Sequence, residues 1–201
     1  MAIDQVDVML LVAGVLEKLG VPYCVCGSFA SSLHGDWRST RDVDLLADIR
    51  GKQVKPFAEA LQSEFYLAED AISRAVKERR RFNVIHFETL YKAAIFASKG
   101  TEFEKKQLER RELKNVNPQQ EITTYVATAE DTILAKLAWY RLGNQVSDQQ
   151  WRDILGVLRM QHGRLDSDYL RHWASELNVS DLLVDALREV IPGRWNRLWL
   201  S

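Results

Sequence analysis

The sequence is poor in cysteine, carries no surplus of either charge sign and contains no long apolar run. Each shortage excludes something. The two cysteines are Cys24 and Cys26, in the apolar run Tyr23-Cys24-Val25-Cys26. They are too close in the chain for an ordinary disulfide, and no second pair supplies a zinc set. They read as small buried hydrophobes, and nothing in cysteine usage points to an oxidising compartment. Lys plus Arg number 27 against 28 Asp plus Glu, a formal net charge of -1. The basic excess of a protein that grips nucleic-acid backbone without selection is missing, which leaves room only for a local basic patch. No stretch approaches the roughly 20 apolar residues of a membrane span. The apolar N-terminal segment has no basic leader and its polar residues recur along one helical face, so it reads as an amphipathic helix and not a signal peptide. A cytoplasmic protein without membrane attachment is expected. Repeats and low-complexity segments are absent.

What is present is a globular composition: 201 residues, 46% hydrophobic and 27% charged, enough for one domain or two small ones. Val6, Met9, Leu10, Ala13, Leu16 and Leu19 follow the helical period and predict a helix over residues 4 to 19, stopped by Gly20 and Pro22. Residues 22 to 26 predict a buried strand, Ser28 to His34 one or two helical turns, and Arg41 to Ala47 a second strand. A helix is expected over Gly51 to Glu64, and another starting at Asp70 in the polar stretch to Arg81. Phe82 to Phe87 and Tyr91 to Phe96 predict two strands joined at Glu88-Thr89-Leu90. Glu102 to Leu113 reads as a solvated helix and Glu121 to Val126 as a strand. From Thr128-Ala129-Glu130-Asp131, a helix start with an acidic first turn, four helices follow over 129–142, 147–161, 166–177 and 179–190. The expected architecture is an α/β domain over residues 1–127, its mixed sheet flanked by helices, and an all-α region over 128–201.

One stretch carries chemistry. A strand ends in Gly27-Ser28 and a short helix begins at once. Glycine permits close backbone approach, and the N–H groups at a helix start suit a phosphate, with the Ser28 hydroxyl as a further donor. After thirteen intervening residues a strand opens with Asp42 and Asp44. Two apart on a strand, both carboxylates leave the same face. Their mutual repulsion is relieved by a hard divalent cation, and magnesium favours few carboxylates plus substrate phosphates. Arg38 and Arg41, in the intervening loop, are candidate phosphate contacts. The competing reading is a polar strand face in which Asp42 and Asp44 pair with Arg38 and Arg41.

Cys26-Gly27-Ser28 and Asp42-Val43-Asp44-Leu45 resemble the signature of the nucleotidyltransferase superfamily. Arg38-Ser39-Thr40-Arg41-Asp42-Val43-Asp44, Ala129 to Leu137 and Gln150 to Leu155 are similar to its small bacterial AbiEii-like branch. The resemblance covers most of residues 20 to 160. It implies a nucleotidyltransferase-type mixed β-sheet flanked by helices, with a helical C-terminal part. It implies a nucleoside triphosphate with Mg2+ or Mn2+ on Asp42 and Asp44, and transfer of a nucleoside monophosphate to a hydroxyl of RNA, tRNA included, or of a partner protein, as toxin–antitoxin relatives do. It also brings Lys136 and Asp153 to the site, matching a helix lysine and a later aspartate. Without it, Lys136 reads as a solvated helix residue and Asp153 as a partner for Arg152 or Lys136.

The sequence departs from the family where a third acid is expected, in Tyr91-Lys92-Ala93-Ala94-Ile95-Phe96: Ala94 stands in its place. Three readings stay open. The chain is a catalytically degenerate nucleotide-binding or interaction module, or Glu88 or Asp153 substitutes, or the alanine marks an inactivated variant. Lys92 is a further candidate beside Ala94. His34 and His86 are candidate acid/base groups; His86, alone on a strand, reads as structural, and His34, near the Gly-Ser turn, is the one of more interest. Lys77 to Arg81 is a short basic run, either a solvated face or a contact for RNA or triphosphate. The aromatic residues of the helical part read as core, and Trp195 and Trp199 as a seal or a contact between copies.

Overall fold

The computed structural model describes residues 3–36, 38, 40, 42–117 and 121–190. The chain divides into two compact units: residues 1–29 with 40–127, and residues 30–39 with 128–201. Predicted features at Arg41, Trp195 and Trp199 lie outside the described residues.

The first unit is built on a seven-stranded mixed sheet. The strands are β1 (Tyr23–Cys26), β2 (Asp42–Ala47), β3 (Phe65–Tyr66), β4 (Arg81–His86), β5 (Lys92–Ala97), β6 (Glu112–Asn117) and β7 (Ile122–Val126), in the spatial order β3-β4-β5-β2-β1-β7-β6. At its centre β1 runs antiparallel to β2 and parallel to β7, while β2 runs parallel to β5. This is the α/β class expected from the mixture of short β-prone runs and amphipathic helices.

The flanking helices are α1 (Gln5–Lys18), α3 (Gly51–Leu61), α4 (Glu69–Lys77) and α5 (Glu102–Arg110); α2 (Gly27–His34) follows β1 directly. α1 begins where Asp4 caps it through a reciprocal bond pair with Asp7, and it buries Val8, Met9, Val12, Ala13 and Leu16. On one face of the sheet Cys24 and Leu46 pack with Leu108 of α5 and Ala127, and Cys26 and Phe96 lie half-buried against them. The same face carries Asp44 and Asp42 further along β2, because residues two apart in a strand share a face. On the opposite face Tyr23 is buried, its hydroxyl bonded to Glu17 of α1 and, at 2.9 Å, to Thr124 of β7.

Two strands were not legible. Expected as a helix to Leu113, the charged segment turns at Arg110, and Glu112–Asn117 forms edge strand β6 against β7. Its local composition is poor for a strand. Pairing with β7, burial of Val116 and the Arg111 guanidinium 4.5 Å above the Tyr125 ring decide the outcome. β3 is two residues long and pairs with the end of β4. The polar helix from Asp70 ends at Lys77, and Arg81 already belongs to β4.

The second unit holds α6 (Ala129–Leu142), α7 (Asp148–Met160), α8 (Ser167–Glu176) and α9 (Ser180–Val190). Thr128 caps α6 by accepting the Asp131 backbone N–H, and the buried Asp131 carboxylate accepts from Thr128 Oγ1 and Tyr169 Oη. Ile133, Leu134, Leu137, Ile154, Val157, Leu170, Leu183 and Ala186 form its interior. Residues 30–39 join this unit through a close main-chain approach. A Cβ at Gly35 would stand 2.7 Å from the Val157 backbone nitrogen and 2.8 Å from the Gly156 carbonyl carbon, so only glycine lets the end of α2 meet α7. Among the described residues, no helix is long and apolar enough to cross a membrane.

Tyr23→Phe removes the hydroxyl that serves Glu17 and leaves the buried Thr124 hydroxyl without that partner. The expected cost is about 1–2 kcal/mol in urea unfolding, with an unchanged far-ultraviolet circular dichroism spectrum.

Candidate active site

The β1–α2 junction is fixed by one missing side chain. Gly27 has φ +63, the left-handed region that glycine enters without steric cost. A Cβ at this position would lie 2.1 Å from Asp44 Oδ2 and 2.9 Å from Asp44 Cγ. The Asp44 carboxylate therefore sits directly against the main chain at the start of α2. The register agrees, since Cys26, just before Gly27, is the cross-strand partner of Asp44. Ser28 follows, half-buried, in the first turn of α2. That turn's backbone N–H groups have no partner one turn earlier in the helix, which makes it an anion-favouring end.

Asp42 and Asp44 share a face of β2 as their spacing requires. Asp42 is 52% exposed in its side chain and makes an ion pair with Lys92 of β5, Nζ to Oδ1 3.2 Å. In the parallel β2/β5 ladder Asp42 lies beside Lys92 and Asp44 beside Ala94. Across the next strand Ala94 is partnered by Asn83. One row of the sheet thus reads Cys26, Asp44, Ala94, Asn83, with Ala94 buried and Asn83 exposed. Glu88 lies in the exposed turn between β4 and β5, away from this row in the register. Two carboxylates on one face beside a bare backbone are a donor set that suits a hard divalent cation whose remaining ligands are water and phosphate. Among the described residues, no group of three or more His, Cys, Asp or Glu side chains is placed to hold a metal.

The second unit gathers the other predicted residues. Asp153 of α7 accepts a bidentate pair from Arg38, Nε to Oδ1 and Nη2 to Oδ2, both 2.9 Å. Lys136 of α6 donates to the same Oδ2 at 2.8 Å, and Gln149, one turn earlier on α7, to Oδ1 at 2.8 Å. Ser31 of α2 lies 3.5 Å from Oδ2. The Lys136 and Asp153 side chains are 9% and 7% exposed, so Lys136 is not the solvated residue that helical periodicity alone suggests. Burial by itself pushes the Asp153 carboxyl up; hydrogen bonds from Arg38 and Lys136, with the Lys136 charge, overcome it and hold the group down at about 2. Two cations on one carboxylate leave the cluster with net positive charge.

Arg38 is thus bonded to Asp153 within its own unit, and Asp42 pairs with Lys92 within the other. His86 is structural: buried, packed edge-on against Phe65 and bonded at Nδ1 to Thr89. His34 is buried at the end of α2. The basic run is divided between the end of α4 and the start of β4, and Arg79 is tied to Asp48 and the Ser98 carbonyl. Sequence reasoning missed Gln149, Ser31 and Asn83. Gln149 carries a signal, since it stands four before Asp153 on one helix; Ser31 and Asn83 join only through long-range packing and strand register.

No protein-family model matches the sequence, and comparison with the curated proteins gives no match. Solved structures share the fold. An antigenic nucleotidyltransferase-like protein from Paracoccidioides brasiliensis superposes with TM-score 0.52 at 17% identity, over 92% of this chain and 91% of that one. The antibiotic-resistance factor ANT(2'')-Ia superposes with TM-score 0.55 at 9% identity, over 92% and 97%. The chain has the nucleotidyltransferase-type fold: a mixed sheet flanked by helices, and further helices after it.

Gly27→Ala forces a side chain into the Asp44 carboxylate at positive φ, and is expected to lower stability by roughly 2 kcal/mol or more by thermal or urea unfolding. Asp153 has a depressed folded value, so its stabilisation is present above the ordinary carboxylate range and is lost as pH falls toward about 2. Asp153→Asn is expected to cost roughly 2–4 kcal/mol at pH 7. The gap to the parent narrows progressively between pH 5 and pH 2 in unfolding curves.

Proposed function

We propose that this chain is a metal-dependent nucleotidyltransferase, moving a nucleoside monophosphate from a nucleoside triphosphate to a hydroxyl of an RNA or protein acceptor. The observation that carries this reading is the Asp44 carboxylate seated against the bare backbone of Gly27, with Asp42 beside it on the same face. The fold shared with nucleotidyltransferase-like structures supports it. Asp42 and Asp44 would hold a Mg2+ or Mn2+ ion, which would supply charge neutralisation at the triphosphate. Gly27 gives a polyphosphate access to the main chain, and the Ser28 hydroxyl and the first N–H groups of α2 donate to its oxygens. In the transfer the acceptor hydroxyl oxygen gives up its proton to water and bonds to the α-phosphorus, and the bond to the bridging oxygen breaks to release pyrophosphate. Arg38 and Lys136 are assigned a phosphate-contacting role, with Asp153 orienting both cations. The kinship with AbiEii-like proteins and toxin–antitoxin systems, and a cytoplasmic setting, belong to the same proposal.

The test has two arms. A non-hydrolysable ATP analogue with Mg2+ is expected to raise unfolding stability by about 2.7 kcal/mol at 100 times its dissociation constant, and Asp42→Asn/Asp44→Asn is expected to abolish that shift. Each α-labelled triphosphate with Mg2+, RNA and cell extract is expected to yield a labelled acceptor with the parent and none with the double variant. A stability shift that survives the double substitution sinks the site. Nucleotide binding without any transfer by the parent moves the assignment to the degenerate module that Ala94 leaves open.

A further inference from the structure

Lys92 is not accounted for by the reading above, yet it stands in the middle of the acidic face. It opens β5 as the in-register neighbour of Asp42, with Nζ 3.2 Å from Asp42 Oδ1. Two residues on, and so on the same face, is Ala94, the neighbour of Asp44; beyond it is Asn83. A second divalent cation about 3.5–4 Å from a first needs carboxylates that both ions share. On this side of Asp44 the sheet offers a methyl group and a neutral amide. The place beside Asp42 is taken by an ammonium group, which repels a divalent ion and already satisfies one carboxylate oxygen.

Resting on the nucleotidyltransferase reading, we propose that the acidic face takes a single divalent cation and that the Lys92 ammonium is its fixed second positive charge. Asp42 is then shared between the ion and Lys92, while Asp44, against Gly27, serves the ion. Lys92 positions Asp42 and, together with Ala94, limits the site to one cation. A lysine charge does this without coordination geometry, so its effect is carried by Coulomb interaction and is retained by arginine.

Mn2+ titration followed by electron paramagnetic resonance of the unbound ion tests this, with protein alone and with one equivalent of a non-hydrolysable ATP analogue. The parent is expected to take up one Mn2+ per chain beyond what the analogue binds by itself in a protein-free control. Lys92→Met is expected to keep that count and, without nucleotide, to bind Mn2+ roughly tenfold more tightly, because a like charge a few ångströms away is gone. Lys92→Arg is expected to match the parent, and Lys92→Met/Ala94→Asp to take up two. Two Mn2+ per parent chain, or unchanged Mn2+ affinity in Lys92→Met, overturns the proposal while leaving the nucleotidyltransferase reading standing. A folded parent that takes up no Mn2+ in either condition overturns that underlying reading, and this one with it.

Discussion

The site depends on a steric vacancy. With any side chain at residue 27, the Asp44 carboxylate would be displaced from the position it holds, since the nearest oxygen lies 2.1 Å from where a Cβ would be. The vacancy couples two elements that are distant in purpose: the turn that starts α2 and the acidic face of β2. Electrostatics then follows from packing. Asp44 lies against a helix start whose N–H groups favour negative charge. Lys92 on Asp42 offsets one charge of the acidic pair.

The helical unit solves a related problem differently. Asp153 is nearly buried, and burial alone would favour its protonated form. Four donors from three separate segments reverse that preference: Arg38 with two, Lys136 and Gln149 with one each. A buried carboxylate satisfied so fully acts as a rigid mount for the two cations that surround it.

How much of this the sequence disclosed depends on the range of the forces involved. Strands β1, β2, β4, β5 and β7 were legible because short β-prone runs of four to six residues stand apart from the helical periods around them. Helices α6 to α9 were legible because their apolar stripes are long and Thr128, Ser147 and Asp166 cap three of them. Strand β6, Glu-Leu-Lys-Asn-Val-Asn, was not, because its conformation is imposed by β7. Of the candidate site, the Gly27-Ser28 bend and the Asp42/Asp44 pair are local and could be read directly. The pairing of Lys92 with Asp42 depends on a parallel register set by a crossover of some forty residues. The union of Arg38 with Asp153 spans 115 positions, beyond any local periodicity.

The discontinuity of the helical unit bears on the order in which the chain matures during synthesis. Residues 30–39 belong with 128–201, and Gly35 is shaped to the backbone of Gly156 and Val157. A ribosome delivers that short stretch long before α7 exists. The stretch must therefore wait, attached to the newly made β1, until the helices emerge. Completion of the second unit is a late event, and a fragment comprising only the last helices would lack the piece that their inner surface was cut to receive.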